Sequence, residues 1–263
     1  MTAALEAPVA TPCLSVARAN PVAKLAAALL VAFTLALSVD AVSAGVALAL
    51  ELLLLPFAGL TFVAFWRRTA LVWITAPLAG ITIALYGRPS GEVHLQWLFV
   101  NVTDGSLHLA MVTILRVLAI ALPAVTLFAT VDPTELADGL AQLVHLPARF
   151  VLGALAAFRL VGLLREDWRS LSLARRARGV ADRRRLRRFL GLAFAVFVLA
   201  IRRGSALATA MEARGFGGAA TRSWARESRF GVQEWALVAV GAAVAVIAAI
   251  VSVASGSWSF IGR

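Results

Sequence analysis

The sequence has little of what most catalytic chemistry requires. In 263 residues it holds one cysteine, Cys13, and three histidines, His94, His108 and His145. A single thiol excludes an internal disulfide and a cysteine-based metal cluster. None of the histidines has a neighbour at ligand spacing. We therefore expect no metal site and no cofactor, and assign Cys13 no role. A phosphate-cradling Gly-x-x-x-x-Gly-Lys-Ser/Thr run is missing. So are a paired-Asp motif, a His/Glu metal set and a Ser/Lys dyad on the apolar segments, which leaves a membrane-embedded enzyme with few residues to work with.

Acidic residues are also scarce. There are 14 Asp and Glu against 25 Lys and Arg, a net charge of +11. Such a balance can indicate nucleic acid, but its distribution points elsewhere. Eighteen of the 25 basic residues lie between Arg149 and Arg229, as in a cytoplasmic segment obeying the positive-inside rule. The run Arg183-Arg184-Arg185-Leu186-Arg187-Arg188 has no interleaved aromatics and opens an amphipathic stretch. A solvated helix start near acidic lipid headgroups fits it better than a nucleic-acid site.

What is abundant is apolar sequence. The chain is 61% hydrophobic with a mean hydropathy of +0.87, against about 45–50% apolar in soluble domains. The excess sits in long blocks, the mark of a bilayer as solvent. Spans are predicted at about Leu25–Val39, Val42–Trp66, Leu71–Tyr86, Leu107–Thr130 and Trp235–Ala254. Pro56, Pro77 and Pro123 are expected to bend theirs. Arg18, Lys24 and Arg67-Arg68 fall on one side, and the polar loop from Gly87 to Ser106, with Arg88 alone, on the other. This places the N-terminus in the cytoplasm and the C-terminus outside. The fold class is thus all-α: a polytopic membrane protein with about five spans. It is organised as a disordered tail over 1–20, a four-span bundle over 21–130, a cytoplasmic region over 131–232 and a last span over 233–263. Glu51 and Arg116 lie within spans. Intramembrane charges face protein or water, so we expect them to pair with each other or with a partner subunit.

The 131–232 region holds two apolar stretches broken by charge. Phe150–Leu164 contains Arg159, and Phe189–Ile201 is bounded by Arg187-Arg188 and Arg202-Arg203. Thirteen residues make a helix of roughly 20 Å, short of a bilayer core of about 30 Å. Both read as long amphipathic helices at or below the membrane surface. In the first, Leu160, Leu164, Trp168 and Leu171 form an apolar stripe beside Arg165, Arg169 and Arg176. In the second, Ala200, Gly204 and Ala208 recur at the four-residue spacing that lets helix backbones approach.

Each of these helices ends in the same tripeptide, Ala177-Arg178-Gly179 and Ala213-Arg214-Gly215. Glycine after a helical run is the usual left-handed stop. A lone arginine before it could simply complement the helix dipole. Two copies, at the ends of two similar helices in one segment, suit a pair of plugs. Alanine keeps each tip narrow, and arginine offers a planar fork of donors.

On these motifs the chain resembles the transmembrane T component of energy-coupling-factor (ECF) type ABC importers, whose two coupling helices end in Ala-Arg-Ser/Gly. Three further segments resemble that family. Asn20-Pro21 with Lys24-Leu25 is similar to its Pro-x-x-Lys-Leu entry. Thr130-Val131-Asp132-Pro133-Thr134-Glu135-Leu136 is similar to its Thr-(Ser/Asp)-Pro-x-(Asp/Glu)-Leu segment. Arg165-Glu166-Asp167 is similar to its acidic approach to the first motif. The resemblance covers roughly residues 18–230. Ala157-Phe158-Arg159 lacks the family's nearby proline, a place Pro147 could fill. The resemblance implies two cytoplasmic ABC ATPase subunits as partners, contacted by Arg178 and Arg214, and a separate substrate-binding membrane subunit, the S component. It implies no catalysis by this chain. The permease of a conventional ABC importer is the other reading: Met211-Glu212-Ala213-Arg214-Gly215 resembles the start of its Glu-Ala-Ala-x-x-x-Gly loop, which leaves the first motif unexplained.

Overall fold

The computed structural model describes residues 16–58, 61–87, 90–97, 100–179, 185–218 and 223–258. The chain is an all-α polytopic membrane protein. Of the tail expected over 1–20, residues 1–15 lie outside the described residues. Residues 16–18 form a 3-10 turn, and Asn20 caps the first helix.

Two compact units divide the chain, one comprising residues up to Asp132 with those from Arg229 onward, the other Pro133–Ser228. In the first unit, α1 (Pro21–Leu37) starts where Pro21 supplies a preset φ and the Asn20 side chain accepts from the Val22 amide at 3.0 Å. α2 (Ala41–Leu54) is capped by Asp40. α3 (Phe62–Tyr86) is capped by Thr61, and α4 (Asp104–Phe128) by a reciprocal box between Thr103 and Ser106. Between α3 and α4 runs a short antiparallel hairpin, β1 (Val93–Trp97) and β2 (Val100–Thr103). α8 (Val232–Ala254) closes the bundle.

Two span boundaries differ from expectation. The second and third spans do not part at Arg67-Arg68. Pro56 sits in a 3-10 turn, Leu55–Ala58, that ends α2 early, and Thr61 starts α3 before the arginines. Arginine is a good helix former, so the pair continues the helix rather than breaking it. α2 is therefore 14 residues long, about 21 Å, less than the usual bilayer core. Pro77 and Pro123 lie within α3 and α4.

Side-chain contacts fix how these helices alternate. At one end, the Asn20 amide donates to Glu234 Oε1 at 3.2 Å, Lys24 Nζ to Thr130 Oγ1 at 2.9 Å, and Arg68 Nη1 to the Ala129 carbonyl at 2.9 Å. At the other, Ser252 Oγ donates to Asp40 Oδ2 at 2.7 Å. So α1, α3 and α8 start at one end, and α2 and α4 finish there. The core has two clusters. Val31, Leu35, Ala47, Ala119, Val244 and Ala248 join α1, α2, α4 and α8, while Phe65, Val72, Ala76, Leu118 and Leu122 join α3 to α4. The opposite face of α3 exposes Leu71, Ile74, Leu78 and Ile81, a stripe that suits acyl chains.

In the second unit, α5 (Pro133–Gln142) is followed by α6 (Ala148–Ala177) and α7 (Arg185–Ala213). At 29 residues α7 is long enough and apolar enough to cross a membrane, which corrects the expectation that length alone excludes it. Its uninterrupted apolar stretch is still the one between Arg188 and Arg202.

Candidate coupling site

The two Ala-Arg-Gly motifs adopt the same backbone. α6 stops at Ala177 and α7 at Ala213. The next residue, Arg178 or Arg214, is the cap, and the glycine after it is left-handed, with φ +68° at Gly179 and +74° at Gly215. The Gly179 amide donates to the Arg176 carbonyl at 3.0 Å, and the Gly215 amide to the Glu212 carbonyl at 2.9 Å. At the second tip the Phe216 amide also donates to the Met211 carbonyl at 3.0 Å. This is a Schellman turn, and it needs glycine because a Cβ disfavours positive φ. The turn satisfies the last carbonyls and leaves the arginine at the extremity of the helix. All six motif residues are exposed. Among the described residues neither guanidinium has a hydrogen bond or ion pair. Each tip therefore presents a free, planar, multi-donor cation on a narrow stalk, able to bind carboxylates or the unpaired carbonyls of a partner.

The small-residue stripe does not mark a close approach within the chain. A methyl built on Gly204 would meet nothing within 4 Å, Ala200 is half-buried and Ala208 is exposed. The α6–α7 contact is made by longer side chains. Trp168 packs on Phe189 with ring centroids 5.5 Å apart, Arg175 Nη2 donates to the Gly191 carbonyl at 3.0 Å, and Asp167 pairs with Arg203. A second set straps the segment after α7. Gln142 Nε2 donates to the Arg226 carbonyl, and the Ser228 amide donates to Gln142 Oε1, both at 2.9 Å.

Glu51 and Arg116 are not joined. Both Glu51 carboxyl oxygens are buried without a hydrogen-bond partner among the described residues. Glu51 lines a cavity of about 610 Å³ bounded by α1, α2, α4 and α8. Among the described residues Arg116 forms no ion pair with Glu51. Asp40 is held by the Ser38 hydroxyl, the Ser43 amide at 2.6 Å, the Ser43 hydroxyl at 2.7 Å and Ser252. The sequence marked Asp40 only as a turn. Its Ser-x-Asp-x-x-Ser context is the local signal, whereas Ser252 lies 212 residues away.

The CbiQ family, described as a cobalt transport protein, matches residues 14–224. That span takes in α1 to α7 and both tips. The chain belongs to the CbiQ family. Curated relatives carry the name energy-coupling factor transporter transmembrane protein EcfT. The protein of Limosilactobacillus fermentum is 30% identical over 160 residues, 56% of this chain and 58% of that one. That of Thermanaerovibrio acidaminovorans is 31% identical over 164 residues, 57% and 60% of the two chains. That of Brevibacillus brevis is 27% identical over 199 residues, 71% and 72%. The chain thus spans about three fifths of the length of the first two of these relatives.

Proposed function

We propose that this chain is the transmembrane coupling (T) subunit of an ECF-type importer for a micronutrient, a vitamin or a nickel or cobalt ion. The observation that carries this reading is the pair of matching tips: the same three residues, the same left-handed glycine and an exposed arginine on each. Two cytoplasmic ABC ATPase subunits each receive one tip in a surface groove, where Arg178 and Arg214 make the polar contacts. ATP binding draws the ATPases together and swings α6 and α7. The motion passes to an S component in the plasma membrane, which selects the substrate. The N-terminus and residues 133–228 lie in the cytoplasm, in keeping with the positive charge there. The chain itself hydrolyses nothing.

The test is a detergent pull-down of the tagged protein co-expressed with its ATPases, comparing wild type with Arg178→Glu/Arg214→Glu. Reversing a central arginine costs about 2 kcal/mol or more at an interface hot spot, over tenfold in affinity per tip. We expect two ATPase subunits with wild type and their loss in the double variant, with transport abolished. Undiminished capture and transport in a folded double variant would reduce the motifs to helix caps.

A further inference from the structure

The Asp167–Arg203 pair joins equivalent points of the two helices. It is two-pronged, Nη1 to Oδ2 and Nη2 to Oδ1, the latter at 3.1 Å. The paired residues are 36 positions apart, the same interval as between Arg178 and Arg214. Asp167 stands 11 residues before Arg178, and Arg203 stands 11 residues before Arg214. Eleven residues are close to three helical turns, so on each helix the paired residue and the tip arginine share a face, about 16 Å apart along the axis. The arms from this contact to the two tips are equal in length.

Apart from the Arg175–Gly191 hydrogen bond and the Trp168–Phe189 contact, the described residues of the unit offer little to set the angle between the helices. α6 has no fully buried residue, and among the buried apolar residues of α7 only Leu192 is found in the described part. Apolar contact is non-directional and would let such helices slide. A bidentate guanidinium–carboxylate pair is directional and fixes the rotation of both. Its side chains are 19% exposed at Asp167 and 40% at Arg203, sheltered enough to escape full screening. On α7 the Arg175 bond to the Gly191 carbonyl and the Trp168–Phe189 contact both fall on the N-terminal side of Arg203, near the start of the helix.

We propose that the Asp167–Arg203 pair is the pivot of the α6–α7 crossing, a positioning contact that fixes the separation of the two tips so that both meet their sockets together. The role of that separation rests on the coupling reading. The geometry does not, and the test keeps them apart.

Nitroxide labels at Leu173→Cys and Thr209→Cys, both exposed and each five residues before a tip arginine, report the separation by pulsed electron resonance. Cys13→Ser removes the native thiol, and the full chain is held in lipid nanodiscs. We expect one narrow distance distribution in the parent, a broad or shifted one in Asp167→Asn and Asp167→Ala, and recovery of the narrow one in the swap Asp167→Arg/Arg203→Asp. In the assembled transporter, transport per ATP should fall about 2- to 30-fold in Asp167→Ala, the range one lost coupling contact gives, and recover in the swap. Distributions as narrow and as placed in both single variants as in the parent would overturn the pivot. Failure of the parent to capture ATPases would sink the coupling reading and leave the distance measurement standing.

Discussion

Asp40 shows how a short turn can anchor a membrane bundle. Burial pushes its carboxyl up, but hydrogen bonds from Ser38, the Ser43 amide, Ser252 and the Ser43 hydroxyl more than offset this and hold it below its ordinary 3.8. A carboxyl depressed on folding stabilises the protein above its unfolded value, and that contribution is lost as the pH falls through the folded value. We expect Asp40→Ala to cost about 3 kcal/mol at neutral pH, since it strips several donors of one charged acceptor. Thermal melts in detergent at pH 7 and at pH 3 check this. The gap between wild type and variant should be widest at pH 7 and smaller at pH 3, below the ordinary carboxyl value. A gap that does not change with pH would mean that the carboxylate charge is not its source. Glu51 is the contrasting case. Its position in an apolar run was plain in the sequence, but that it has no hydrogen-bond partner among the described residues could be seen only once the helices around it were placed.

At the scale of helices, small residues matter only where a neighbour arrives. A methyl on Gly241 of α8 would stand 2.8 Å from Ala27 Cβ on α1, whereas one on Gly204 of α7 would meet nothing. Gly241→Leu should therefore destabilise by about 1–3 kcal/mol, the usual cost of overpacking, and Gly204→Leu should leave the melting temperature within a degree or two of wild type. Differential scanning fluorimetry of both variants settles the comparison, and equal losses would contradict the packing described for α1 and α8. The sequence pattern pointed to the Ala200-Gly204-Ala208 stripe and passed over Ala27 and Gly241, because spacing along one helix carries no information about which face another helix meets. It also placed the break between the second and third spans at Arg67-Arg68, where charge interrupts hydropathy. The helix instead breaks at Pro56 and restarts at Thr61, where the backbone chemistry requires it.

For the whole molecule, the end-to-end alternation of α1, α2, α3, α4 and α8 puts the β1–β2 hairpin at the end opposite Lys24, Arg68 and Glu234. With the basic end inward, a cysteine at exposed Ser90 should react with a membrane-impermeant maleimide applied to intact cells in a Cys13→Ser background. One at exposed Thr209 should react only after the membrane is opened. Labelling of Thr209→Cys in intact cells would invert the proposed orientation and remove the tips from any cytoplasmic ATPase.

The sequence alone determined that the chain lives in a bilayer, roughly where it crosses, and which two helix ends carry matching arginines. These follow from composition, charge placement and local backbone rules, which act over a few residues. The tertiary structure alone decided that Glu51 has no hydrogen-bond partner among the described residues and that Asp167 meets Arg203. Those depend on contacts between residues tens to hundreds of positions apart, and nothing local in the chain specifies the partner across such a distance.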